Sequence, residues 1–247
     1  MDIIAHRGAS LEAPENTLAS VNLAWQQNAD AVEVDVHLSS DGHIMVIHDE
    51  QTRKTAGVRK KVCDQTLAEL KALDVGRWKS PKWSGEKIPT LAEVLDTVPA
   101  GKRLFIEIKA GPECLPAFEK VIRNCAKQPK QILAIGFALE TMRKIKIFLP
   151  QIEVCWIAEF KRNWQAGGWS PKPTTLIEKA KAAGLDGLDL GARGPITANL
   201  VALAKHAGLK TYVWTVDSPA RARKLLQAGV DGITTNRPGW LREKLAL

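Results

Sequence analysis

Cysteine is scarce in this sequence and is not spaced for metal binding. The four cysteines, Cys63, Cys114, Cys125 and Cys155, form no C-x-x-C pair, and their neighbours are mostly apolar. Disulfide frameworks and zinc sites usually show paired spacings. We therefore expect free, buried thiols, which favour a reducing compartment such as the cytoplasm.

Long apolar runs are also absent. No run of about 18 apolar residues, the length of a membrane-spanning helix, occurs in the sequence. The first predicted strand begins at residue 2 or 3, which leaves no room for the charged and apolar regions of a signal peptide. We expect a cytoplasmic protein without stable membrane insertion, unless Met1 replaces a signal peptide that has been removed.

Positive charge is in excess, but it is not gathered into one stripe. The net charge is +8, yet lysine and arginine are spread along the chain and no nucleic-acid-binding motif is present. An excess of this kind favours anionic ligands in general. We expect a small phosphorylated substrate and no nucleic-acid partner. The protein is expected to be a monomer or a homodimer.

Short strand patterns alternate with helical patterns along the whole chain. In the C-terminal half, three strands each follow a helix end and a glycine stop, at Gly184, Gly208 and Gly229. The eight predicted strands read DIIAH, AVEVDV, RLFIEI, QILAIGF, IEVCWIA, LDGLDL, KTYVWTV and DGITTN. Eight such units in 247 residues, with no G-x-G-x-x-G after the first strand, favour a single α/β domain, a (β/α)8 TIM barrel over residues 1–247.

Residues 52–89 interrupt this alternation. They follow a predicted hairpin, VEVDVHLSSDGHIMVIHDE, whose turn signal is Asp41-Gly42. A two-residue turn there places His48 opposite Asp35, and a bulge would shift the pairing by one residue. The basic, tryptophan-bearing residues 52–89 are predicted to be a small insertion over one end of the barrel.

Acidic side chains recur on two predicted strands. Glu33 and Asp35 share one face of the second strand because side chains alternate, and Glu107 and Lys109 share a face of the third. A lone acidic pair is most often a solvated strand face. Three carboxylates on adjacent strands instead predict an oxygen-rich site for one divalent cation, Mg²⁺ or Ca²⁺, with Mn²⁺ also acceptable and zinc a poorer fit.

The first strand ends in His6 and Arg7, and barrel closure brings this end beside the second strand. His48 returns to the same region through the hairpin, whereas the other three histidines are expected to be structural. Two proton-transfer groups, a cation site and fixed positive charges are the parts that phosphate ester cleavage needs. The first strand lacks the H-x-H that an amidohydrolase barrel would show, and we find no equally placed serine, cysteine or threonine nucleophile.

Six motifs occur in order from about residue 3 to residue 240: HRGA with APENT, VEVDVHLSSDGHIMVIHDE, KIPTLAEVL, IEIK, YVWTVD and GVDGITTNRP. Together they resemble the glycerophosphodiester phosphodiesterase family, of the bacterial cytoplasmic type. The resemblance implies a TIM barrel with a small insertion after the second strand. It also implies hydrolysis of glycerophosphodiesters, such as glycerophosphocholine or glycerophosphoethanolamine, to sn-glycerol 3-phosphate and an alcohol.

The same resemblance implies a role for each candidate residue. His6 and His48 match the general acid and base pair, without indicating which is which. In the mechanism proposed for the family, the free glycerol hydroxyl attacks phosphorus and water then opens the cyclic phosphate. The metal ligands implied are Glu33, Asp35 and Glu107, the phosphate contacts Arg7 and Lys109, and the aromatic against which glycerol packs Trp214.

The sequence departs from the family pattern in three places. Gly136 stands where serine is frequent, Asn236 stands where aspartate is common, and HDEQTRKTAG lacks the leucine and paired threonines usual after the histidine-aspartate step. These departures bear on substrate preference more than on activity. Two alternatives therefore stay open, a lysophospholipase D-like or other phospholipid phosphodiesterase of the same superfamily, and a non-catalytic anion-binding barrel.

Overall fold

Strands and helices alternate along the chain in this computed structural model, which describes residues 1–163 and 167–247. The strands are β1 (Asp2–His6), β2 (Ala31–Leu38), β3 (Ile44–Val46), β4 (Arg103–Ile108), β5 (Ile132–Gly136), β6 (Glu153–Ala158), β7 (Lys161–Asn163), β8 (Gly168–Ser170), β9 (Gly187–Gly191), β10 (Lys210–Trp214) and β11 (Gly232–Thr235).

The helices lie between these strands and are short. They are α1 (Leu18–Gln26), α2 (Arg53–Ala56), α3 (Leu67–Ala72), α4 (Leu91–Thr97), α5 (Leu115–Asn124), α6 (Leu139–Phe148), α7 (Pro173–Ala182), α8 (Ala198–His206), α9 (Pro219–Ala228) and α10 (Pro238–Leu245). Thr197 and Ser218 cap two of these helices, because their side chains accept hydrogen bonds from backbone amides of the first turns of α8 and α9. Within residues 1–163 and 167–247, no helix is long and apolar enough to cross a membrane.

Eight parallel strands close into a barrel. The order around the ring is β1, β2, β4, β5, β6, β9, β10 and β11, and β11 pairs with β1. His6 is in register with Glu33, and Asp35 is in register with Glu107. The predicted TIM barrel is therefore confirmed, and its eight strands coincide with the eight sequence patterns.

An ion-pair network lies at the N-terminal end of the barrel. Arg103 contacts Asp2 and lies 3.4 Å from Glu153, while its guanidinium donates to the Tyr212 hydroxyl at 3.2 Å. The Tyr212 hydroxyl in turn donates to Glu153 Oε1 at 2.7 Å. Next to this network, the barrel interior is filled by apolar and aromatic side chains: Ile4, Ala31, Phe105, Leu133, Ile135, Cys155, Ile157 and Tyr212. This packing leaves the opposite, C-terminal end for polar chemistry.

The β2–β3 hairpin has a register one residue away from the simplest prediction. Val36 is opposite Val46, so Ile47, and not His48, is opposite Asp35. The cause is a three-residue turn, in which Ser39 pairs with His43 and Gly42 adopts φ +82°. His48 lies just beyond the end of β3.

The segment 52–89 contains α2, α3 and two short 3-10 turns, and it lies against β3. It contributes to an apolar cluster that is separate from the clusters of the barrel and consists of Met45, Ile47, Val62, Leu70, Val75 and Ile88. That this segment is an insertion within one domain stays a prediction.

The cysteines follow the expectation in part. Cys114 and Cys155 are buried, and burial raises the pKa of the Cys114 thiol to about 11. Cys125 is half-buried. The expectation of a buried thiol is wrong for Cys63, which is exposed because it lies in a surface turn of the segment 52–89.

The barrel-end network can be tested with Tyr212→Phe. We expect the free energy of unfolding to fall by about 1–2 kcal/mol, because Arg103 and Glu153 lose their shared hydroxyl. Urea unfolding measures this change. Activity should stay at the level of the unmodified protein, since the network lies at the end of the barrel opposite the candidate site, and a loss of activity without a loss of stability would contradict this separation.

Candidate active site

Three buried carboxylates converge at the C-terminal end of the barrel. Glu33 and Asp35 project from β2 and Glu107 from β4, and their nearest oxygens all lie within 4.8 Å of one another. The alternation of β2 and the register with β4 produce this cluster, as the sequence predicted. Glu33 Oε1 is buried without a hydrogen-bond donor among the described residues, while the buried oxygens Asp35 Oδ1 and Glu107 Oε1 face Lys109.

Burial, together with repulsion between the carboxylates, raises the pKa of two of the three groups. Burial and the charges of Asp35 and Glu107 raise the pKa of Glu33 well above its ordinary value. Burial, followed by the charge of Asp35, raises the pKa of Glu107 to about 7. Burial also acts on Asp35, but Arg7, Lys109 and further partners outweigh it and lower the pKa of that carboxyl.

Two cations lie directly against the cluster. Arg7 Nε lies 3.1 Å from Asp35 Oδ2, and Lys109 Nζ lies 2.6 Å from Glu107 Oε1 and 3.3 Å from Asp35 Oδ1. Burial alone would lower the pKa of each cation, but the neighbouring carboxylates, with Asp35 first, raise both above their ordinary values. If all three carboxylates were ionised, they would exceed these two cations by one negative charge.

The donor set suits a hard divalent cation. It offers carboxylate oxygens only, Glu33 Oε1 is buried and unpartnered among the described residues, and one oxygen from each of the three residues can reach a common centre. No cysteine or histidine belongs to the described cluster, which makes it a poor zinc site. Glu33, Asp35 and Glu107 could therefore hold a metal ion such as Mg²⁺ or Ca²⁺.

His6 is oriented by a chain of polar groups. Its Nδ1 lies 2.7 Å from Asn236 Oδ1, while Asn236 Nδ2 donates to Asp217 Oδ2 at 2.7 Å. Since the amide nitrogen is engaged with Asp217, the amide oxygen faces His6 and Nδ1 must carry the proton. His6 Nε2 therefore keeps its lone pair. Burial, followed by the charge of Arg7, lowers the pKa of His6 below its ordinary value of 6.5.

His48 has a different partner. Its Nδ1 lies 2.6 Å from the Asp49 carboxylate, and its backbone carbonyl accepts a hydrogen bond from His37 Nε2 at 3.0 Å. His37, which was expected to be structural, therefore contacts the main chain of the candidate residue. One histidine is held by a neutral amide and the other by a carboxylate.

Seven of the eight candidate residues line one cavity of about 170 Å³. Asp35 is fully buried behind it and contacts both Arg7 and Lys109. Trp214 forms part of the wall and meets Phe137 edge to face, with ring centroids 5.8 Å apart. The lining residues are His6, Arg7, Glu33, His48, Glu107, Lys109, Ile135, Phe137, Ile157, Asp189, Trp214 and Thr234.

Sequence reasoning assigned no site role to several residues that position this cluster. Asn16 Nδ2 donates to Asp35 Oδ2 at 2.9 Å, and its Oδ1 accepts from the Asp35 amide at 3.2 Å. Glu15 Oε1 lies 3.0 Å from an Arg7 guanidinium nitrogen. Both residues belong to the APENT motif, which was interpreted only as part of the family resemblance.

Gly8 permits this arrangement. It adopts φ +79°, and a Cβ atom there would lie 2.5 Å from the backbone of Ser20 in α1. Helix α1, capped by Thr17, can therefore approach the end of β1 closely, and Ser20 Oγ donates to the Arg7 carbonyl at 2.9 Å.

Comparison with known proteins agrees with this geometry. Residues 6–240 match the sequence model of the glycerophosphoryl diester phosphodiesterase family. The chain belongs to this family. The predicted enzyme class, a phosphodiesterase among the hydrolases, is thereby confirmed.

Similar proteins in this family span nearly the same length. A glycerophosphodiester phosphodiesterase of Caldanaerobacter subterraneus is 34% identical over 242 residues, which cover 96% of this chain and 94% of that one. One of Bacillus subtilis is 31% identical over 252 residues, covering 95% of this chain and 83% of that one. A phosphodiesterase of Oleispira antarctica, solved with the product sn-glycerol-3-phosphate, superposes with a TM-score of 0.88 at 29% identity, covering 100% and 97% of the two chains.

The hydrogen-bond partner of His6 can be changed by exchanging the side chains at positions 217 and 236. In the double variant Asp217→Asn with Asn236→Asp, the hydrogen-bonded pair is kept but a carboxylate faces His6 Nδ1. We expect the pKa of His6 to rise, because a carboxylate stabilises the imidazolium. If His6 must be neutral to act, the acid limb of kcat/KM against pH should move to higher pH, while the alkaline limb stays in place. An acid limb that stays or moves to lower pH would count against His6 as the base.

Glu33→Gln tests the repulsion in the carboxylate cluster. In the presence of a chelator the variant should melt roughly 2–6 °C higher than the unmodified protein, because folding no longer has to protonate a buried carboxyl or hold it charged beside Asp35 and Glu107. Added Mg²⁺ or Ca²⁺ should raise the melting temperature of the unmodified protein and leave that of the variant almost unchanged.

Differential scanning fluorimetry measures both effects. Glu178→Gln, which removes an exposed carboxylate from α7, controls for the change in net charge. A lower melting temperature of Glu33→Gln in chelator would mean that burial and repulsion of the Glu33 carboxyl do not destabilise the metal-free protein.

Proposed function

We propose that this protein hydrolyses glycerophosphodiesters, such as glycerophosphocholine or glycerophosphoethanolamine, to sn-glycerol 3-phosphate and an alcohol, with the help of one divalent cation. The observation that carries the proposal is the meeting of His6 and His48 with the carboxylate cluster in one cavity. Family membership and the product found in the Oleispira antarctica enzyme support the same reaction.

In the proposed site, Glu33, Asp35 and Glu107 hold Mg²⁺ or Ca²⁺, with Mn²⁺ as a further possibility. When bound, such a cation neutralises charge on the phosphate oxygens. Arg7 and Lys109 lie against the same carboxylates and face the cavity, so they add fixed positive charge where negative charge develops. Trp214 provides the aromatic surface against which the glycerol moiety packs.

We assign the base to His6 and the acid to His48. His6 is held by a neutral amide and keeps a lone pair on Nε2, so it can take the proton of the attacking hydroxyl. His48 is backed by the Asp49 carboxylate, which stabilises an imidazolium that gives its proton to the leaving oxygen. A glycerol hydroxyl of the substrate is the proposed nucleophile: it attacks phosphorus, the alcohol leaves with the proton from His48, and water then opens the cyclic phosphate to sn-glycerol 3-phosphate. A nucleophile from the substrate is favoured because neither histidine hydrogen-bonds to Thr234, the hydroxyl residue that lines the described cavity.

Purified protein should release sn-glycerol 3-phosphate from glycerophosphocholine, lose this activity in chelator and regain it with Mg²⁺ or Ca²⁺. His6→Ala and His48→Ala should each lower kcat by about 10²–10⁴-fold, since each removes a proton-transfer group. A coupled assay for the product measures the rates. His43→Ala is the matched control, because His43 is exposed in the hairpin turn and does not line the cavity. Full activity in His6→Ala would overturn the mechanism.

A lysophospholipase D-like activity is the second candidate, favoured by apolar groups at the rim. Trp78 is 41% exposed and lies about 6 Å from the ammonium groups of Lys54 and Lys79, which contact Glu15 and the loop after β1. Comparing rates on glycerophosphocholine and on its acylated lysolipid separates the two activities. A non-catalytic anion-binding barrel would bind the diester without turnover under any metal.

The remaining predictions concern the setting of the enzyme. A cytoplasmic location, a monomer or homodimer, and the absence of a nucleic-acid partner stay predictions.

A further inference from the structure

One carboxyl group in the cavity wall has no role in the proposed mechanism. Asp189 projects from β9, is only 2% exposed and lines the cavity that holds the two candidate histidines. In the part of the chain that the structure describes, its Oδ1 accepts no hydrogen bond, and no lysine or arginine pairs with it. A buried polar atom without a partner destabilises the protein, so this one requires an explanation.

The position of Asp189 separates it from the carboxylate cluster. Around the ring of eight strands, β9 lies four places from β2, directly across the barrel. Its register neighbours are Ile157 and Tyr212, both in the apolar interior. Its backbone carbonyl accepts a weak hydrogen bond of 3.4 Å from Trp214 Nε1. Asp189 thus belongs to the wall that carries the aromatic ring, not to the wall that carries the cation site.

The local sequence does not require a polar residue there. In the run GLDLG of β9, Leu188 and Leu190 are buried in the cluster beneath the outer helices, while Asp189 points to the interior. An apolar side chain would satisfy the packing of a strand that is covered on both faces. The fold therefore does not require this carboxyl group, which is more useful as a group that binds a ligand.

The surroundings decide which ligand group fits. Burial, followed by the charge of Glu107, raises the pKa of Asp189 well above its ordinary value, which favours the neutral acid. A neutral carboxyl has one donor and one acceptor, and an alcohol offers the same pair. Two other substrate groups match it less well. An ionised phosphate offers acceptors but no donor, and a quaternary ammonium offers neither.

We propose that Asp189 binds a hydroxyl of the glycerol moiety and makes the enzyme selective for substrates with a polyol beside the phosphate. This inference rests on the proposed function and deepens it, since Trp214 is the proposed glycerol-packing residue and its ring contacts the same strand. Asp189 acts in specificity, as a group that touches substrate away from the reacting phosphorus.

The test uses two ligands that differ only in their hydroxyls, sn-glycerol 3-phosphate and n-propyl phosphate, titrated calorimetrically into the full chain with Mg²⁺ present. The unmodified protein should bind the first more tightly. Asp189→Ala should weaken binding of sn-glycerol 3-phosphate by about 10- to 50-fold and leave n-propyl phosphate unchanged. Asp189→Asn, which keeps a donor and an acceptor, should stay within about fivefold of the unmodified protein.

Turnover provides a second readout. Asp189→Ala should raise KM for glycerophosphocholine with little change in kcat, because the contact is made before and during the reaction. Thr211→Val is the matched control, since Thr211 is also buried, has an unpartnered hydroxyl, and lies on the neighbouring strand without lining the cavity. It should change neither the ligand preference nor KM.

Three results would overturn the inference: equal binding of both ligands by the unmodified protein, an unchanged preference in Asp189→Ala, or a preference lost equally in Asp189→Asn and Asp189→Ala. A loss of melting temperature in Asp189→Ala with an unchanged preference would indicate a structural role. If the unmodified protein does not turn over glycerophosphodiesters at all, the proposed function fails, whatever the binding results.

Discussion

Repulsion among three buried carboxylates is the constraint on which the rest of the site depends. Glu33, Asp35 and Glu107 cannot all be ionised in this space without cations beside them. Arg7 and Lys109 supply two, and a divalent ion would supply the remainder. The positive groups that would bind a phosphate are therefore held in place by the negative groups that would bind a metal.

The surrounding residues preserve this balance through backbone and amide contacts. Asn16 fixes Asp35 from two sides, the Arg7 amide donates to Glu33, and Glu15 limits the movement of the Arg7 side chain. Lys54 of the segment 52–89 also contacts Glu15 at 2.8 Å, which links that segment to the partner of Arg7. The loop after β1, the start of α1 and the segment 52–89 thus act on one cluster.

Periodicity and turn signals were enough to predict the barrel, its eight strands and the meeting of residues on β1, β2 and β4. Alternation along a strand is a local property, so the shared face of Glu33 and Asp35 follows from spacing alone. The hairpin register depended on whether Gly42 formed a two- or three-residue turn, which composition does not decide. The roles of Asn16, Asn236 and Asp189 depend on contacts between distant segments, and no local pattern indicates which polar residue will be left without a partner.

Closure of the ring has a consequence for how the protein comes to be functional. His6 and Asn236 are separated by 230 positions in the chain, and β1 pairs with β11 only when the last strand is in place. Contacts of such long sequence separation form late and slowly during folding, because a long loop must be closed first. A chain emerging from the ribosome therefore has the β2 and β4 carboxylates well before its first histidine is oriented. His6 therefore acquires its Asn236 partner, and the site becomes complete, only when the final strand is in place.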